Sequence, residues 1–69
     1  MINSNISTLN LYLTQQYGWT AAQNTAFVNQ IAVYRQSGQN IEQQLASMQN
    51  KAYYNAYMQF DELIDATIS

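Results

Sequence analysis

Ser47 and Lys51 stand four residues apart in ASMQNKAYY, and Asp61, Glu62 and Asp65 form the one carboxylate cluster of the chain. These are the residues whose types and spacing could do chemistry. A serine and a lysine on one helix face have the makings of a nucleophile with its base. Asp61 and Asp65 also share a face, so they could work as an acid–base pair or hold a divalent cation loosely. Both spacings are generic, however. A hard cation wants six or more oxygens, more than two carboxylates on an exposed helix supply, and a solvated polar face accounts for Ser47 and Lys51. With no His and no Cys, neither a Ser–His–Asp nor a Cys–His constellation can be built. The reading is therefore a protein that is not an enzyme: no catalytic residue, no cofactor, no metal and no small-molecule substrate.

Composition narrows the remaining classes. Sixty-nine residues make one small domain, 1–69, which buries only roughly 60% of its unfolded surface. Disulfides and zinc, the usual staples of so thin a core, are excluded with Cys and His, which leaves association as the common remedy. Only Arg35, Lys51, Glu42, Asp61, Glu62 and Asp65 carry charge, whereas Asn and Gln together supply eighteen residues. The chain is Asn/Gln-rich but 48% apolar, 13% aromatic and free of proline, a composition that folds rather than one that stays disordered. Two basic residues and a net charge of −2 cannot neutralise the several phosphates that nucleic-acid binding requires. No apolar run approaches the ~20 residues of a membrane span, and MINSNISTLN lacks the basic start and apolar stretch of a secretory signal.

The elements that would position these residues read as helices. Ile2, Ile6, Leu9 and Leu13 recur at helical spacing, which predicts a first helix over about 2–17 with Leu11 pointing off the stripe. Gly18 can end it in the left-handed conformation. Thr20 with Gln23 three residues on makes a capping box, opening a second helix over about 21–36. Its inward stripe would be Ala22 or Ala26, Phe27, Ile31 and Tyr34, with Arg35 complementing the dipole of the last turn and Gly38 as the stop. Asn40 and Gln43 repeat the capping-box spacing. No Gly or Pro follows, so a third helix runs over about 41–66, roughly 39 Å at 1.5 Å per residue. The expected fold is all-α: a small three-helix bundle, or a helical hairpin, with a long C-terminal helix. Paired against the shorter second helix, that third helix overhangs beyond Phe60, with Thr20 and Trp19 level with Tyr57.

On a wheel of the third helix, Ile41, Leu45, Met48, Ala52, Ala56 and Leu63 trace one line, and Tyr53, Tyr57, Phe60 and Ile64 a second. Tyr54 and Met58 fall further round. So wide an apolar arc means burial, either under the first helix or against another chain. Tyr and Met suit interfaces, burying large area at small entropic cost. The candidate protein-interface residues are Tyr53, Tyr54, Tyr57 and Met58, joined by Trp19 and Leu11. The carboxylates fall near the end of this helix, where the dipole disfavours them. That placement points to a fraying end or to a basic partner surface.

YGWTAAQNTAFVNQIAVYRQSG resembles the helix of phage tail-associated lysozyme domains, in which a Gly-Trp-Thr start leads to a catalytic Glu before Ser-Gly. Here Gln36 holds that position and cannot donate a proton as a carboxylic acid does. The spacing is longer and the chain too short for that fold, so the resemblance does not extend to the activity. The expectation is a small helical structural or interaction protein. By compositional analogy it resembles virion components such as capsid-decorating or tail-adaptor proteins, located in a virion or host cytoplasm and partnered by its own copies or by a larger assembly. The alternative is a small acidic inhibitor or regulatory adaptor that binds a larger protein.

Overall fold

In the computed structural model, which describes residues 4–68, the chain forms five helices and, among those residues, no strand. They are α1 (Ser4–Tyr17), α2 (Ala21–Gln36), α3 (Ile41–Ala46), α4 (Ala52–Gln59) and α5 (Asp61–Ile68). The fold is an all-α bundle around one hydrophobic cluster. Ile2, at the head of the expected first stripe, lies outside the described residues.

The turns follow from local chemistry. Gly18, at φ +68°, donates its N–H to the Thr14 carbonyl at 2.9 Å and closes α1 with a left-handed cap. Thr20 Oγ1 accepts from the Gln23 N–H at 3.2 Å, and Gln23 Oε1 accepts from the Thr20 N–H at 2.8 Å, a reciprocal capping box that starts α2. After α2, Gly38 at φ +71° donates to the Arg35 carbonyl and Gln39 donates to that of Tyr34, the paired bonds of a Schellman motif. Asn40 Oδ1 then accepts from the Gln43 N–H at 3.0 Å and opens α3.

The third segment is not one helix. It is interrupted at residues 47–51 and again at Phe60. At the first break, Ser47 Oγ donates to the carbonyls of Gln43 (2.6 Å) and Gln44 (3.3 Å), while Asn50 Oδ1 accepts the Ala52 N–H at 3.0 Å. The Lys51 ammonium covers the Ala46 carbonyl. Short polar side chains here satisfy backbone groups that a continuous ladder would have used. At the second break Phe60 sits at φ −118° and ψ 27°, its N–H donating back to the Ala56 carbonyl of α4 and its carbonyl accepting the Ile64 N–H of α5. The molecule measures 29 × 26 × 19 Å, too short for a straight helix of roughly 39 Å. The overhang expected beyond Phe60 is therefore corrected: α5 folds back onto α1 and α2.

The kink also reverses the expectation for the carboxylates. Asp61 and Glu62 occupy the first turn of α5, where the N-terminal dipole favours them. Asp65, one turn on, pairs with Arg35 from the last turn of α2 and ties α5 to it. Both partners are partly exposed, 35% and 51%, so the pair contributes at most about 1 kcal/mol.

The core consists of Leu9 and Leu13 from α1, Phe27, Val28 and Ile31 from α2, Leu45 from α3, Ala56 and Tyr57 from α4, and Ile64 from α5. On α2 the stripe is rotated from its expected setting. Ala22 and Ala26 are exposed, and Asn24 is buried in their stead. Its Nδ2 donates to Thr14 Oγ1 at 3.2 Å and, more weakly, to the Asn10 carbonyl at 3.4 Å. A buried amide that bonds across two helices fixes their register, because sliding either helix would strand a donor.

Candidate functional site

The six candidate interface residues separate into two groups. Trp19 and Tyr53 are half-buried and belong to a ring cluster. Trp19 stacks on Tyr17 at 5.0 Å between centroids and meets Phe27 at 5.3 Å and Tyr53 at 5.5 Å, while Tyr53 meets Phe27 edge-on at 5.0 Å. Each such pair contributes about 0.5–1.5 kcal/mol beyond its buried area. Trp19 thus meets Tyr53, not Tyr57 as a continuous third helix would require, because residues 47–51 turn the chain instead of extending it. Tyr17 donates its hydroxyl to Gln59 Oε1 at 2.9 Å and fastens the end of α1 to α4.

Tyr57 lies in the core at 8% exposure, and Tyr54 is half-buried against that core. The Tyr57 phenol is raised from the ordinary 10.0, first by burial, then by the charge of Asp61 and of Asp65, by a hydrogen bond to Asp61, and by Glu42. Because the folded state holds this proton more tightly than the unfolded state, the stabilisation is complete below pH 10 and is lost as pH rises through the higher folded value. Tyr57→Phe is expected to change stability little near neutrality and to flatten the alkaline fall in stability. Urea midpoints of both proteins measured across that pH range check the sign.

Met58 and Leu11 form the second group, 48% and 53% exposed. Leu11 projects from the side of α1 away from Leu9 and Leu13. Met58 borders an open cleft of about 440 Å³ between α1 and the α4–α5 junction. Tyr12, Phe60 and Leu63 supply its apolar walls, and Asp61 and Glu62 flank it. The Tyr12 and Phe60 rings stack at 5.6 Å, so the wall is fixed by one ring from each side. Tyr12 remains 42% exposed. Sequence reasoning passed over Tyr12, although its place three residues after Leu9 puts it at the edge of the α1 stripe. Leu63 was assigned to the core line and is instead half-buried at the cleft.

The polar candidates are engaged locally. Ser47 and Lys51 spend their donors on backbone carbonyls, and Asp65 faces a guanidinium. Among the described residues no group of three or more metal-ligating side chains converges, and no helix is long and apolar enough to cross a membrane. Compared with protein-family models, with curated proteins and with solved structures, the chain matches none.

Proposed function

We propose that the protein is a non-enzymatic interaction component that works by packing its helical surface into a larger protein assembly. The observation that carries this reading is the cleft, where Met58 and Tyr12 remain about half exposed although the chain has helices enough to cover them. Adjacent apolar side chains at a concave site are what a partner buries for affinity. The charge-poor, amide-rich composition supports the same reading, since it gives weak electrostatic solubility and suits a chain held among neighbours. A virion, with the protein as a capsid-decorating or tail-adaptor subunit, is the assembly that this composition matches best; host cytoplasm is the second setting.

The acidic flank favours a second reading. Asp61 and Glu62 beside the cleft suit a small adaptor or inhibitor that occupies a basic groove on a larger protein. The two readings differ in stoichiometry and salt response: a structural subunit makes many salt-insensitive apolar contacts, while an acidic adaptor binds one partner in a complex that salt weakens.

A photo-cross-linking residue placed at position 58, in cells that make the protein, tests the proposal. A discrete cross-linked species is expected, absent when the probe is moved to the exposed polar position of Asn29. A ladder in steps of 7.9 kDa would identify self-assembly, and one larger band a different protein. Only uncross-linked chain at position 58 would contradict the reading.

A further inference from the structure

We propose that the cleft between α1 and the α4–α5 junction seats a cationic amphipathic segment, Lys or Arg beside aliphatic side chains, from a protein other than this one. The proposal rests on the reading of the chain as an interaction component and names the chemistry of its partner. The apolar lining sets the aliphatic requirement. Tyr12, Met58, Phe60 and Leu63 offer rings and a flexible thioether, and methionine adapts to varied apolar side chains.

The flank sets the charge. Asp61 and Glu62 line the cleft beside these apolar side chains. Carboxylates bordering an apolar trough recruit cations to its rim while the trough buries the neighbouring aliphatic groups.

The chain's own cations cannot meet this requirement in a second copy without breaking bonds they already make. Arg35 is paired with Asp65, and the Lys51 ammonium is bonded to the Ala46 carbonyl. A two-fold dimer through the cleft would set the same patch against itself and bring each copy's Asp61 and Glu62 together. Like charges across an interface select against it. The occupant is thus a foreign segment that brings its own cations, because those of this chain are already engaged.

The test uses the full chain, isotope-labelled, and two short synthetic helices with the same leucine face, one with Lys and one with Glu on the polar face. The Leu/Lys helix is expected to shift the amide signals of Tyr12, Met58 and residues 60–63, with affinity that falls as salt rises. Asp61→Asn combined with Glu62→Gln keeps the acceptors and should weaken that binding about five- to tenfold. The Leu/Glu helix is expected to leave these signals in place. Equal binding of both helices at the cleft would overturn the cationic partner and leave the interaction reading standing. Shifts that map elsewhere, or none with either helix, would overturn the cleft as the seat and leave the broader reading to the cross-link at position 58. Concentration-dependent shifts of the same residues without peptide would show that a second copy is the occupant, which also overturns the proposal.

Discussion

Phe27→Ala is expected to leave the chain largely unfolded at 25 °C. Phe27 is fully buried on α2 and touches the Trp19 ring at the α1–α2 turn and the Tyr53 ring on α4. Removing such a ring costs about 3–5 kcal/mol, the transfer term plus the cavity it leaves. A domain of this length has a total stability of about 3–10 kcal/mol at the usual value per residue. The loss is therefore comparable to the whole, and the chain has no cysteine from which a disulfide could offset it. Far-UV circular dichroism in urea gives the readout. Phe27→Leu, which retains most of the volume and gives up the ring contacts, should fold with a lowered midpoint and an unchanged slope. An alanine variant that unfolded at the native urea concentration would show that the helices do not depend on this junction.

The second large effect is expected at Ile64. It is the one fully buried side chain of α5, an eight-residue helix too short to be stable without packing. Ile64→Ala should cost about 2–5 kcal/mol, and the cost should fall first on α5. Two attachments depend on that helix: the stack of Phe60 on Tyr12, which makes the cleft wall, and the Asp65–Arg35 pair. Hydrogen exchange is the sensitive probe, because local opening precedes global unfolding. Amides of α5 should lose protection well before those of α2, and the Tyr12 ring signals should shift towards free tyrosine. Uniform loss of protection through all helices would mean that α5 is part of a single cooperative unit; unchanged protection in α5 would mean that Ile64 does not hold it.

The parts of this fold that were legible in the sequence are those decided within a few residues. Gly18, the Thr20–Gln23 box and Gly38 set the limits of α2 by local hydrogen bonds, and apolar spacing alone picks out Leu9, Leu13, Phe27 and Ile31. The third segment was not legible because its breaks arise from competition. Ser47 and Asn50 are ordinary exposed helix residues on a wheel until their side chains capture backbone groups. Phe60 kinks where α5 gains burial against α1, a non-local gain that periodicity does not register. Asn24 was missed for a related reason. In a chain with eighteen amides one buried Asn has no signature, and only Thr14 and Asn10 across the turn give it a place.

The same division applies to the site. The wheel of the third segment sets Tyr54 and Met58 outside the apolar lines, and the stripe of the first helix does the same for Leu11; the structure exposes Met58 and Leu11 while half-burying Tyr54. Tyr57, on the second apolar line, lies in the core. The cleft needed Tyr12 from α1 and Phe60 from the kink to face one another. Their spacing in sequence carries no hint of that meeting.

The central claim is that the chain completes its core without Met58 and leaves that side chain for a partner. Urea unfolding of Met58→Gln beside the native protein tests it most directly. A change within about 0.5 kcal/mol is expected, as for a surface position, with the slope of the transition unchanged. A loss of about 2 kcal/mol or more, the cost of emptying a core site, would place Met58 inside the fold and contradict the cleft as the binding surface.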